Sequence, residues 1–210
     1  MRPIICFIDD SGFEHELVKG EIAACGPHFE FVQAYTFHEA RSLLQNVTPA
    51  LFLLDLWGQD ETVTSPQITP REDVLEKISG FPALTDVYTG LSDFKGDVGN
   101  EYLKRFFAIV DSWRNLFESV CAGMGQNRKY GLKNLAHVRT FYPGVPAVFY
   151  TRKSLISDAV ALFEAGVDGL FIKPTGKTDD ETRRLTRENA PFLLKKIERI
   201  IDAYPKSRKA

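Results

Sequence analysis

Four short apolar runs, each ending on a polar residue, constrain this chain more than any other feature. IICFI runs into Asp9 and Asp10, ALFLL into Asp55, AVFY into Thr151 and LFI into Lys173. Runs this short, rich in Ile, Phe, Leu and Val and interleaved with helical segments, read as buried strands of a parallel sheet. In an open parallel sheet the ligand crevice lies at the carboxyl ends of the strands. Three carboxylates, a hydroxyl and an ammonium are therefore expected to converge at one edge. That set suits a divalent cation and a phosphoryl group.

Between the runs the pattern is helical. The first strand is expected over Pro3 to Ile8, and a helix over Phe13 to Cys25, stopped by Gly26-Pro27. FEFVQAY alternates like a strand. Thr36 and Glu39 have capping-box spacing for a helix that ends near Asn46. The third strand covers 50–54. Beyond Leu56 the regularity breaks: a loop with Pro66 and Pro70, a short helix from Arg71 to Ile78, then a Gly/Asp-rich loop near 90–100. A strongly amphipathic segment follows, with Tyr102, Phe106, Ile109, Trp113, Leu116 and Val120 at helical spacing. A helix from Leu132 to Phe141 leads into strand four at 145–150. Another, Ser154 to Glu164, leads into strand five at 168–172. The C-terminal region is expected as two helical pieces, with Pro191 as the first residue of the second.

Composition narrows the class. A chain of 210 residues with net charge −2 has no overall pull toward nucleic acid or an anionic membrane. From Asp60 to Arg128 there are 7 basic and 11 acidic residues, which argues against a nucleic-acid arm. The net +6 from Arg183 to Ala210 reads as a solvated helix face and tail. Three cysteines without a CxxC fit a reducing compartment, and no run reaches the ~18–20 residues of a membrane span. A cytoplasmic location and no membrane partner are expected. The four histidines show no ligand spacing and read as surface or packing residues.

The constellation has a chemical logic. A carboxylate can take a phosphoryl group as an acyl phosphate, but the entering group is dianionic and needs a cation beside it. Magnesium takes oxygen ligands, commonly one or two carboxylates with the phosphate and waters. Asp9 and Asp10 at one strand end and Asp55 at the next supply carboxylates, with the backbone carbonyl of Trp57 placed to complete the sphere. Asp55 is then both nucleophile and ligand. Lys173 pairs with a phosphoryl oxygen as a point charge, and Thr151 donates a hydroxyl to another.

The motifs IDDS at 8–11, LLDLW at 53–57, YTRKS at 150–154 and FIKPT at 171–175 resemble those of response-regulator receiver domains of two-component signalling. The steps of 45 residues from Asp10 to Asp55 and 22 from Thr151 to Lys173 match the family's spacing. The resemblance implies an α/β, flavodoxin-like, doubly wound sheet of five parallel strands in the order 2-1-3-4-5. It also implies an aspartyl phosphate on Asp55, Mg²⁺, and a histidine kinase or phosphotransfer protein as donor. A downstream protein partner would read the state. Phosphoryl transfer and dephosphorylation would be self-catalysed, rather than the work of a dedicated enzyme.

Departures from the family are equally specific. Asp55 and Thr151 lie 96 residues apart, far more than the family spans. One receiver-like domain, 1–210, is therefore expected to carry a helical insertion at 58–128 and an extended helical region at 178–210. No recognisable output domain follows, so a stand-alone receiver is expected. Leu170 occupies the position of the family's switch aromatic, and Phe171, one step later, faces the opposite side of a strand. Arg152 and Lys153 make the pocket's rim more basic than usual. The 100–121 helix either packs on the domain or serves a homodimer or partner contact. Two rival readings remain. One is a pseudo-receiver, an interaction module that works through its insertion without phosphorylation. The other is an Asp-nucleophile hydrolase, which wants a DxD that Asp9-Asp10-Ser11 does not supply.

Overall fold

Leu51 to Leu54 are wholly buried, side chains of both faces included. A strand with that property must lie inside a sheet covered on both sides. The computed structural model of the chain, which describes residues 2–59, 65–152 and 162–204, has this arrangement. The strands of its five-stranded sheet are β1 Ile4–Ile8, β2 Glu30–Ala34, β3 Leu51–Leu54, β4 Ala147–Thr151 and β5 Gly169–Ile172. All neighbouring pairs are parallel. The order is 2-1-3-4-5, as the resemblance implies. The α-helices include α1 Gly12–Leu17, α2 Phe37–Leu44, α3 Arg71–Ser79, α4 Val98–Gly123, α5 Lys129–Phe141 and α6 Asp179–Ala203. The helix expected from Ser154 lies outside the described residues over 153–161.

Alternation along the strands sorts the core into two layers. Ile5, Phe7, Leu53, Val148 and Tyr150 pack with Val18, Ile22, Leu193, Leu194 and Ile197, between the sheet and α6. Phe52 meets Tyr142 at 5.0 Å on the other face, where Leu44 of α2 and Leu135 and Val138 of α5 are also buried. Phe7, Phe52 and Phe149 are fully buried, and truncating any one to alanine costs ~3–5 kcal/mol.

Three expectations about helices need correction. The segment expected as one helix from Phe13 to Cys25 changes pitch, from α1 to a π turn at Val18–Ile22 and a 3-10 turn at Ala23–Cys25. The wider turn keeps Val18, Glu21 and Ile22 on the buried side together. The helix expected from Leu132 starts at Lys129, because Gly131 docks on strand β3's exit, donating its N–H to the carbonyl of Leu56 at 3.1 Å. The C-terminal region is one helix, not two, with Pro191 inside it. Thr186, Ala190, Leu193, Leu194 and Ile197 form a continuous buried face across the proline. That burial outweighs the ~3 kcal/mol cost of an interior proline, whose ring points to solvent.

The chain divides into two compact units, 1–59 with 128–210, and 60–127. Within the second, Asp97 caps α4 by accepting from the Asn100 N–H at 3.0 Å. Arg105 reaches the carbonyl of Thr89 at 2.7 Å, and Trp113 meets Phe81 edge-on at 5.3 Å. Of the amphipathic stripe, Ile109 and Leu116 are buried, whereas Leu103, Val110 and Trp113 are exposed, as is Phe107 outside it. Among the described residues no helix is long and apolar enough to cross a membrane.

Candidate functional site

Strand register brings the sequence-predicted residues together. The pairing of Ile8 with Leu54 sets Asp9 beside Asp55, and the Asp55 N–H donates to the carbonyl of Ile8 at 2.9 Å. Thr151 ends β4 fully buried, and its carbonyl accepts from the Lys173 N–H at 2.9 Å. The Lys173 Nζ lies 2.5 Å from Asp9 Oδ2, 3.0 Å from Asp55 Oδ1 and 3.6 Å from Glu14 Oε2. With only 4% of its surface exposed, this ammonium exists as a charge only because carboxylates surround it.

The other carboxylate oxygens are held by backbone donors. Asp9 Oδ1 accepts from the Ser11 N–H at 2.9 Å, Asp55 Oδ2 from the Trp57 N–H at 3.2 Å, and Asp10 Oδ2 from the Gln59 N–H at 2.7 Å. The acids therefore do not swing freely. Burial pushes the Asp9 carboxyl up to about 6, against the pull of Lys173 and with the help of Asp55. Burial also raises Asp10, opposed by the Gln59 N–H and assisted by Asp55. For Lys173 burial works against the charge, yet Asp9, Asp55 and Glu14 outweigh it and hold the pKa above the ordinary lysine value.

Asp9, Asp10 and Asp55 each offer an oxygen within 4.8 Å of the others. An all-oxygen set of three carboxylates beside one shared ammonium fits a hard divalent cation such as Mg²⁺. Trp57, buried two residues past Asp55, lies on the loop that lines this cluster.

Several residues at the site escaped the sequence reading. Ser11 and Glu14 have capping-box spacing, and the Ser11 hydroxyl does accept from the Glu14 N–H. The Glu14 carboxylate, however, turns to Arg152, with Oε1 at 2.7 Å from Nε and 2.6 Å from Nη2. His15, half-buried, is a packing residue that also touches the site: its ring packs against Phe7 and Tyr35, its Nε2 lies 2.9 Å from the Asp9 carbonyl and its Nδ1 2.9 Å from Gln33 Oε1. Tyr130 packs on Gly58 and bonds the carbonyl of Tyr35 at 2.7 Å. Burial first, then Asp9 and Asp10, raise its hydroxyl pKa. A glycine three residues into a helix, at Gly131, was the available signal for a close backbone approach.

Leu170 and Phe171 point to opposite faces, as strand alternation requires. Phe171 joins the core layer on the α6 side, with the Lys196 ammonium 5.4 Å from its ring centre. Leu170, paired with Phe149, is on the other face, and no aromatic replaces it there on β5.

No family model matches the sequence, and no curated protein matches it. Solved structures do. The response regulator domain of CheB from Thermotoga maritima aligns at 14% identity over 98% of this chain and 100% of that one, with a TM-score of 0.52. A response regulator from Thermotoga maritima aligns at 11% identity over 97% and 100%, TM-score 0.49. A CheY-like receiver domain protein from Methanospirillum hungatei aligns at 13% over 96% and 98%, TM-score 0.47. With its strand order and with the acidic crevice at the carboxyl ends of those strands, the chain has the fold of a response-regulator receiver domain.

Proposed function

We propose that the chain is a phosphoacceptor receiver of a two-component phosphorelay, with Asp55 as acceptor. The observation that carries this reading is the placement of the Lys173 ammonium, buried between Asp9 and Asp55 while Asp10 completes a three-carboxylate cluster. An Asp55 oxygen attacks phosphorus as the donor's bond to phosphorus breaks, the leaving group keeping the electron pair. The product is an acyl phosphate. Lys173 exchanges its contact with Asp55 for one with a phosphoryl oxygen, and the Thr151 hydroxyl donates to another. Asp9, Asp10 and Asp55, with the Trp57 carbonyl, would hold Mg²⁺, which would offset the charge of the acids and the entering group.

A histidine kinase or phosphotransfer protein is the donor class this reading calls for, and a protein partner its reader. Leu103, Phe107, Val110 and Trp113 are exposed on α4, and a homodimer through this helix is tested by the mass of the particle in solution across protein concentration.

The test is incubation with Mg²⁺ and acetyl phosphate, an acid trap and an intact mass, beside Asp55→Ala. A phosphoryl adduct on the wild type alone is expected. Leu170 favours a second reading, a pseudo-receiver acting through residues 60–127. Mg²⁺ binding with no phosphoryl adduct would put that reading first.

A further inference from the structure

Glu14 and Arg152 do something that the five motif residues do not. Glu14 is buried, with its side chain 7% exposed, and Arg152 directly follows Thr151 with its side chain 26% exposed. One Glu14 oxygen holds the Arg152 guanidinium, while the other faces the Lys173 ammonium at 3.6 Å. Lys173 in turn touches Asp55 at 3.0 Å. The guanidinium is thus a single carboxylate away from the lysine that contacts the acceptor. Its Nη1 also lies 3.4 Å from the Thr175 hydroxyl, just beyond Lys173. Arg152 therefore reaches from the end of β4 to Glu14 on α1 and to the loop after β5, with its guanidinium 5.7 Å from the Phe13 ring centre.

From this geometry we propose that Arg152 is a second phosphoryl-binding cation, held ready by Glu14. The proposal rests on the receiver reading of Asp55. Four carboxylates (Asp9, Asp10, Asp55 and Glu14) face two cations, Lys173 and Arg152. Lys173 is already shared among three of those carboxylates. A phosphoryl dianion on Asp55, together with Asp9, Asp10 and Glu14, carries more negative charge than Mg²⁺ and one shared ammonium balance. A guanidinium presents a planar fork that matches two phosphoryl oxygens at once. A tie between α1 and β4 would need no buried charge, since apolar residues of similar volume serve as well or better. Glu14 stays in place while the more exposed Arg152 transfers its fork from carboxylate to phosphoryl oxygens.

The experiment measures Mg²⁺ affinity by calorimetry, then beryllofluoride affinity at saturating Mg²⁺, for wild type, Glu14→Gln, Arg152→Lys and the double variant Glu14→Gln/Arg152→Ala. The double variant avoids leaving Glu14 buried beside no guanidinium, and thermal unfolding checks that it folds. The expected result is beryllofluoride binding weakened about tenfold in the double variant with Mg²⁺ affinity nearly unchanged. Glu14→Gln alone, with Arg152 released, binds beryllofluoride at least as tightly as wild type. Arg152→Lys, which keeps the charge and loses the fork, falls between and carries the test should the double variant not fold. Wild-type beryllofluoride affinity in the double variant, or in Arg152→Lys if that variant stands alone, overturns the proposal and leaves the receiver reading intact. Equal losses of Mg²⁺ and beryllofluoride affinity also overturn it, as a structural role would produce them. Absence of beryllofluoride binding in the wild type removes the receiver reading itself.

Discussion

Gly131 lies against the backbone of Asp55 with no room for a side chain. A Cβ there would sit 2.5 Å from the Asp55 carbonyl oxygen, 2.6 Å from the Leu56 Cα and 2.7 Å from the Leu56 carbonyl oxygen. All three are backbone atoms, so no rotamer change relieves the overlap. Gly131→Ala is expected to push α5 off the exit of β3, destabilising the fold by ~1–3 kcal/mol and weakening Mg²⁺ binding through the displaced Asp55. Urea unfolding with and without Mg²⁺ checks both. Unchanged stability would mean that α5 does not pack on Asp55 in solution.

Lys173→Ala removes the cation shared by Asp9, Asp55 and Glu14. Breaking a buried pair by deleting one partner costs ~3–5 kcal/mol, because the remaining charge is uncompensated. In metal-free buffer a loss of that size is expected, and Mg²⁺ should recover part of it by supplying charge to the same acids. A loss under ~1 kcal/mol would place this lysine in solvent.

Protonation of Asp9 gives a pH prediction. Its folded-state pKa, about 6, lies above the ~3.9 of an unfolded aspartate. The folded state therefore holds the proton more tightly, and Asp9's contribution to stability is fully present below ~4 and lost as pH rises toward 6. Asp10, raised by burial as well, acts in the same direction. Across this window Asp9→Asn should gain stability relative to the wild type in metal-free buffer, and Mg²⁺ affinity of the wild type should rise as the acids ionise. A wild-type-to-variant difference that is flat with pH would count against the raised Asp9.

Pro191 interrupts the hydrogen-bond ladder of α6 on its exposed side. Pro191→Ala restores one bond and removes the ring's clash with the preceding turn, worth ~3 kcal/mol in a helix interior, less the ~0.4–1 kcal/mol by which proline restricts the unfolded chain. A stability gain near 2 kcal/mol is expected in thermal or urea unfolding. A loss would show that the proline itself helps to position Leu193 and Leu194.

The site's acids were legible because each follows an apolar run, and a parallel strand buried on both faces has to be such a run. Asp9, Asp10, Asp55, Thr151 and Lys173 needed only that pattern to be placed at one edge. Glu14 and Arg152 were not legible as a pair. They are 138 positions apart, and Glu14 carries the local signature of a helix cap, so its carboxylate already had a plausible partner within its own turn. Pro191 misled for a related reason: local propensity favours a break there, and only the buried face running past it shows why the helix continues.

The sequence by itself determined the sheet, the order of the chemistry-bearing residues along the chain and the length of the stretch between Asp55 and Thr151, since periodicity and run length are local properties. The tertiary structure alone decided which charges share an atom: that Lys173 is divided among Asp9, Asp55 and Glu14, that Glu14 turns from its own helix to Arg152, and that Gly131 touches Asp55. Those contacts depend on strand register and on the angle at which helices cross the sheet, and both are set by packing between residues distant in sequence.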